Sequence, residues 1–153
     1  MLGYIYRLLA KPERVDAKWM TDCMAKHRKS IGHEFIIPNM YIHRRYEIDV
    51  MSVKKKYLYD DEIKVSRADF QRDLQKGKHV LIERGKYPAN FFSYVCPWGV
   101  IMPSEVPKYA GLYWVSSFGS VRMQKAPKRI NKEPQRDAHL YRITKKLDRL
   151  RQK

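Results

Sequence analysis

Apolar and polar residues alternate along Tyr46-Glu47-Ile48-Asp49-Val50-Met51-Ser52-Val53 with the period of two that a β-strand imposes on its side chains. Ile48 and Val50 then face one way, and Glu47 and Asp49 the other. The run from Tyr57 to Val65 alternates in the same manner, with Glu62 and Lys64 on one face and Ile63 and Val65 on the opposite one. If Lys54-Lys55-Lys56 turns the chain, the two strands pair as a hairpin and their polar faces coincide. The pattern thus predicts two carboxylates, Asp49 and Glu62, converging beside the ammonium of Lys64.

The hairpin sits among further helices and strands. Trp19, Met20, Cys23, Met24 and His27 recur at helical spacing, which predicts a helix from near Asp16 to about Lys29, ended by Gly32. Phe35 to Ile42 reads as a strand, and Pro38 within it predicts a sheet edge or a bulge. After the hairpin, Ser66 is placed to cap a helix with Asp69 three residues on, Val65 and Phe70 occupy the two staple positions, and Gly77 is the expected stop. Lys78 to Glu83 is open between a buried strand and a helix. Phe91 to Val95, Leu112 to Val115 and Ser120 to Lys125 read as strands, and Pro97, Gly99, Pro103 and Pro107 punctuate a loop across one end of the sheet. Trp98 in that loop is either a platform for an unpaired base or the closing edge of a core. Met1 to Ala10 is apolar-rich and of undetermined type.

Charge narrows the partners. The 153 residues carry 32 Lys and Arg against 16 Asp and Glu, a net charge of +16, and phosphate is the natural counter-charge. A generally basic ribosome-associated or membrane-surface protein is the alternative. Residues 120–153 hold 12 Lys or Arg against 3 Asp or Glu, so the composition divides the chain into a domain at 1–125 and a basic extension at 126–153. Leu140, Ile143, Leu147 and Leu150 recur there at helical spacing, with Arg142, Lys145, Lys146 and Arg149 between them. Such a helix docks on the domain or on a second copy of itself, giving a homo-oligomer, or else forms a solvated tail or a membrane-surface helix.

Cys23 and Cys96 lack the C-x-x-C spacing of a zinc knuckle, and two cysteines do not make a disulfide scaffold, so both are expected as reduced core residues. His33-Glu34 has no second histidine at helical spacing to complete a zinc site. No apolar run approaches a membrane span, and the start lacks the charged residues and unbroken apolar segment of a signal peptide. A cytoplasmic protein is expected, in a bacterial or phage-infected cell.

Two carboxylates beside an amine have a chemical use. Mg²⁺ or Mn²⁺ binds through one or two carboxylates plus water, polarises a phosphoryl oxygen and lowers the pKa of a bound water, while a neighbouring lysine offsets the developing charge. The alternative is that Asp49, Glu62 and Lys64 merely form the solvated face of a surface hairpin. The stretches Glu47-Ile48-Asp49-Val50, Glu62-Ile63-Lys64-Val65-Ser66-Arg67-Ala68-Asp69-Phe70, Asn90-Phe91-Phe92-Ser93-Tyr94-Val95-Cys96-Pro97 and Val106-Pro107-Lys108-Tyr109-Ala110-Gly111-Leu112 resemble the PD-(D/E)XK nuclease superfamily, and within it the MmcB-like DNA-repair and phage-encoded proteins. The similarity covers about residues 16 to 116.

The resemblance implies a restriction-endonuclease-like α/β fold, a mixed central sheet flanked by helices, with a basic C-terminal helical extension. It makes Lys78 to Glu83 helical, Asp49 and Glu62 metal ligands, and Lys64 the residue that positions the attacking water. Many members add an acid from the first helix. Asp22 is turned to solvent and Glu34 lies beyond Gly32, which leaves Glu47, on the face of Asp49, as the candidate third ligand. The expected activity is Mg²⁺-dependent cleavage of DNA, with RNA as the alternative polymer, in repair, recombination or phage DNA processing. Lys54, Lys55, Lys56, Arg67, Lys128, Arg129, Arg142, Lys145, Lys146 and Arg149 are the expected backbone contacts. The rival reading is a non-catalytic nucleic-acid-binding or partner-binding protein on the same fold.

Overall fold

The computed structural model describes residues 15–43 and 45–153, so the apolar-rich start at residues 1–10 lies outside the described residues. The elements run α1 (Ala17–Ser30), β1 (Glu34–His43), β2 (Tyr46–Lys54), β3 (Tyr57–Ile63), α2 (Arg67–Asp73), α3 (Lys78–Glu83), β4 (Phe91–Pro97), β5 (Gly111–Val115), β6 (Val121–Lys125) and α4 (Leu140–Arg151). Among the described residues six strands join one sheet in sequence order. β1, β2 and β3 are antiparallel neighbours, β3, β4 and β5 run parallel, and β6 returns antiparallel to β5. The α2–α3 pair makes the crossover that a parallel β3–β4 connection requires.

Local chemistry explains most boundaries. Asp16 caps α1 by accepting from the Trp19 amide at 2.9 Å, and Gly32 beyond its end takes φ +90°. Ser66 caps α2 through the Asp69 amide at 3.2 Å. Gly77 does not stop that helix. The Gln75 and Lys76 amides bond three residues back, to the carbonyls of Arg72 and Asp73, so the turn tightens and α3 restarts at once from Gly77, whose φ is −63°. Pro38 lies in edge strand β1, whose register is irregular between Glu34 and Ile37 and between Tyr41 and His43; Phe35 and Asn39 take positive φ there.

Both faces of the sheet are buried. The smaller core packs Met20 and Met24 of α1 against Val50, Ile63, Val95, Tyr113 and Val115. The larger collects Met51, Val53, Leu58, Phe92 and Leu112 of the sheet with Phe70, Ile82, Ile101 and Val106. Ile48 joins the larger core and Val50 the smaller, so the expected one-sided apolar face of β2 is divided between them. Residues 126–153, set apart by composition, share this core: Ile130 and Ile143 are buried in it and Leu147 packs on it. Asn90 ties the segment down by donating to the carbonyls of Asn131 and Glu133 at 3.0 and 2.8 Å. Leu140 and Leu150, the ends of the expected stripe, remain exposed.

The α1 face hides one ion pair. Arg28, 2 % exposed and one helical turn beyond Met24, places its guanidinium on Asp61 of β3 through Nε–Oδ2 and Nη2–Oδ1 contacts of 2.8 Å each. Tyr59 and Tyr113 sandwich it at 5.1 and 4.9 Å. Burial disfavours the charge, but Asp61 outweighs burial and raises the Arg28 pKa. Removing one partner strands the other charge, at a cost of about 3–5 kcal/mol. Asp61→Asn is therefore expected to lower the urea-denaturation stability by that amount, and Arg28→Met with Asp61→Leu by far less. A single-mutant loss under about 1 kcal/mol would refute the anchoring role.

Candidate active site

In the β2–β3 ladder Val50 pairs with Asp61, and the next step of the antiparallel register sets Asp49 opposite Glu62. Asp49 Oδ2 accepts from the Ile63 amide at 2.7 Å, which pins its carboxylate to the neighbouring strand. Both acids line one cavity of about 430 Å³, together with Tyr41, Glu47, Lys76 and Lys78. Just past β3, Lys64 is held by its amide, which donates to the Val95 carbonyl at 2.8 Å, and its Nζ lies 3.0 Å from Glu62 Oε1. The structure thus brings together the three residues expected from the hairpin pattern.

It adds a hub that the pattern did not reveal. Asp73, fully buried at the end of α2, receives Lys64, Lys76 and Lys78 on Oδ1 at 3.2, 3.1 and 3.1 Å. Its Oδ2 accepts from Tyr94 Oη at 2.7 Å and faces His79 Nε2 at 3.2 Å, while His79 Nδ1 meets Tyr109 Oη at 2.5 Å. Lys78, 3 % exposed, also reaches Glu62 Oε2 at 3.3 Å. Burial alone would raise the Asp73 carboxyl, but the His79 hydrogen bond, Lys78, Tyr94 and Lys64 outweigh it and hold it well below the carboxylate range. Burial likewise opposes the charges of Lys64 and Lys78, yet Glu62 and Asp73 raise both pKa values, with Asp60 contributing at Lys78. Lys78-His79 opening α3 directly behind a capped helix was the available sequence signal.

Asp49 behaves differently. Burial, then the charge of Glu62, pushes its carboxyl up to about 6. A divalent cation between the two acids would reverse that repulsion. The donor set suits Mg²⁺, which takes one or two carboxylates and completes its shell with water and substrate phosphate oxygens. Glu62 Oε2 offers a buried oxygen without a hydrogen bond, its Lys78 contact being ionic rather than angularly favourable. A third ligand is not supplied: among the described residues no three His, Cys, Asp or Glu are grouped to hold a metal ion. Glu47 lines the same cavity as the pair, and its Oε2 accepts from Tyr41 Oη at 2.9 Å. Asp22 is exposed beside Lys18, and Asp61, the nearest acid in sequence to Glu62, belongs to Arg28 on the opposite face.

The expected phosphate contacts divide into two groups. Lys54, Lys55 and Lys56 lie at the hairpin turn, roughly 17 Å of strand from Asp49. Lys54 there donates to the Ile31 carbonyl at 2.9 Å, Lys128 follows the loop past Tyr109, and Arg129 stacks on Tyr57 at 4.7 Å. Arg67 is paired with Glu105 and bonded to the Val100 carbonyl. Arg142, Lys145, Lys146 and Arg149 instead line a second cavity of about 330 Å³ with Met40, Tyr41 and Tyr141. Tyr41 belongs to both cavities. Trp98 tilts against Trp114 at 5.2 Å and lines neither.

No protein family matches the chain, nor does any curated protein. Among solved structures it is similar to the SPO1766 protein of Silicibacter pomeroyi, a protein of unknown function, with a TM-score of 0.72 and 19 % identity over 92 % of each chain. The likeness establishes a shared α/β architecture around a six-stranded mixed sheet. No helix among the described residues is long and apolar enough to cross a membrane.

The raised Asp49 pKa predicts a pH-dependent stability of definite sign. The folded chain binds the Asp49 proton more tightly than the unfolded chain, so this group lowers stability as pH rises from about 4 through about 6. Asp49→Asn, which keeps an oxygen for the Ile63 amide, is expected to raise stability at pH 8 by roughly 1–2 kcal/mol and to be neutral at pH 4. Mg²⁺ should raise the thermal midpoint of the native protein at pH 8 and leave that of Asp49→Asn unchanged. Equal Mg²⁺ shifts in both proteins would place the ion elsewhere.

Proposed function

We propose that the protein hydrolyses phosphodiester bonds in DNA, with Mg²⁺ or Mn²⁺ held by Asp49 and Glu62. The observation that carries this reading is the placement of Asp49 and Glu62 on one cavity, with the Lys64 amine 3.0 Å from Glu62 and the basic groove of α4 sharing Tyr41 with that cavity. The order α1-β1-β2-β3-α2-α3-β4 supports the restriction-endonuclease-like reading, as does the E-x-K step at the end of β3.

The ion would polarise the phosphoryl oxygen and supply a nucleophilic hydroxide at neutral pH. The chain's own groups do the rest. Lys64 presents a charged amine beside Glu62, where it can donate to the attacking water or to a non-bridging phosphate oxygen and offset the charge that develops on phosphorus. Asp73 fixes Lys64 and Lys78 from behind, so neither amine must reorganise as the charge appears. Arg142, Lys145, Lys146 and Arg149 hold the adjoining backbone.

A specific observation favours the rival binding module. Both oxygens of Glu62 already face lysine amines, Lys64 at 3.0 Å and Lys78 at 3.3 Å, so its charge is compensated within the chain. Nicking of supercoiled plasmid with and without Mg²⁺ or Mn²⁺ separates the two. Metal-stimulated nicking that Asp49→Asn and Glu62→Gln each reduce at least 100-fold, and Lys64→Ala at least 10-fold with Mg²⁺ affinity largely kept, is the expected result. Binding without metal-stimulated cleavage on duplex, single-stranded and branched DNA favours the binding module.

The basic groove is tested separately. Deleting residues 127–153 would remove Ile130 and Ile143 from the core and confound the measurement. Lys145→Gln, Lys146→Gln and Arg149→Gln together are expected to flatten the slope of log affinity against log salt by about 2–3, without changing sequence preference. An unchanged slope would detach α4 from nucleic acid.

A further inference from the structure

The groove along α4 holds more than charge. Tyr41 and Tyr141, 55 % and 70 % exposed, line it together with Arg142, Lys145, Lys146 and Arg149. Pairing aromatic side chains with cations is the composition of a surface that binds an unpaired strand: every base has a π-face to stack, while Lys and Arg track the phosphates. Duplex DNA hides those faces, and a duplex contact would gain little from exposed tyrosines. Tyr41 is also oriented, because its hydroxyl donates to Glu47 Oε2 at 2.9 Å, and Glu47 and Tyr41 both continue into the cavity of Asp49 and Glu62. Lys145 lies over the Tyr141 ring at 4.8 Å, so a cation and an aromatic are already adjacent at the outer end of the path.

Building on the nuclease reading, we propose that the substrate is DNA with a single-stranded segment, one base stacking at Tyr141 and the next at Tyr41 before the strand enters the Asp49–Glu62 cavity. Glu47 acts through Tyr41 as a positioning residue. A fully paired duplex does not follow this path, because its bases are not free to reach the rings.

The test measures binding in the presence of EDTA, so that it does not depend on cleavage. Fluorescence anisotropy with a labelled oligonucleotide, single-stranded or annealed to its complement, is read at one fixed salt concentration. The native protein should bind the single strand more tightly than the duplex. Tyr41→Ala and Tyr141→Ala should each weaken single-strand binding about 5- to 50-fold and change duplex binding less than twofold. Tyr141→Trp, on an exposed helix position, should retain or improve single-strand affinity, which a merely structural role for the ring would not predict. Tighter binding of duplex, or equal losses on both substrates, would overturn the proposal. Cleavage assays keep the two readings apart: single-strand binding lost in the tyrosine variants of a protein that never cuts would support this inference and sink the nuclease. Metal-dependent cutting of blunt duplex at rates unaffected by either alanine would do the reverse.

Discussion

Three consecutive carboxylates, Asp60, Asp61 and Glu62, lie in β3, near the middle of a sheet whose two faces are both covered. Taking such charges out of water is expensive, and it is tolerated only where cations or protons are supplied within contact distance. Strand alternation sends Asp61 to one face and Asp60 with Glu62 to the other, so each face meets the demand in its own way. Arg28 reaches Asp61 from α1. Lys64 and Lys78 reach Glu62 from the opposite side, while Asp60 accepts from Tyr87 Oη at 2.5 Å, and burial and then Glu62 raise its pKa well above the usual range.

This electrostatic demand also places the helices. α1 must set Arg28 over β3 to satisfy Asp61, which fixes its rotation as firmly as Met20 and Met24 do. α2 and α3 must deliver Asp73, Lys78 and His79 to one point, and the tightened turn through Gln75 and Lys76 brings them together. The candidate site is then preorganised by the same contacts that make the fold possible: Lys64, Lys76 and Lys78 around Glu62 are each also held by Asp73, so its catalytic or ligand-binding geometry needs little rearrangement.

Much of this was legible in the chain, for identifiable reasons. The alternation in Tyr46 to Val53 and Tyr57 to Val65 reports strand register directly, and register alone sets Asp49 opposite Glu62. Caps at Asp16 and Ser66 bond locally and so leave local signatures. Arg28 and Asp73 were hidden because a charged residue in an amphipathic helix normally marks the solvent side. Only its contact with an acid or an amine thirty residues away, or on the next helix, makes it a core residue. In hindsight the stripe Met20-Met24-Arg28 and a strand carrying acids at three successive positions signal that some of those charges must be paired inside. The division at residue 125 followed charge density, whereas Ile130 and Ile143 joined the core on their apolar area.

The far edge of the sheet shows why a basic helix belongs there. Among the described residues β1 has no strand partner on one side of its backbone, the arrangement that invites pairing with another chain. Pro38, positive φ at Asn39 and two register irregularities roughen it. α4 then covers it: Ile143 and Leu147 pack inward, and Arg142 donates to the Ile42 carbonyl at 2.6 Å. A helix that seats two apolar residues and one arginine on an edge strand must turn its other residues outward. Because β1 is next to β2, and β2 carries Asp49, the groove those outward residues line shares Tyr41 with the cavity of the acids. Protecting the edge and lining the approach to the site are therefore consequences of one docking geometry, and Tyr41, which lines both cavities from the edge strand itself, is the residue where the two meet.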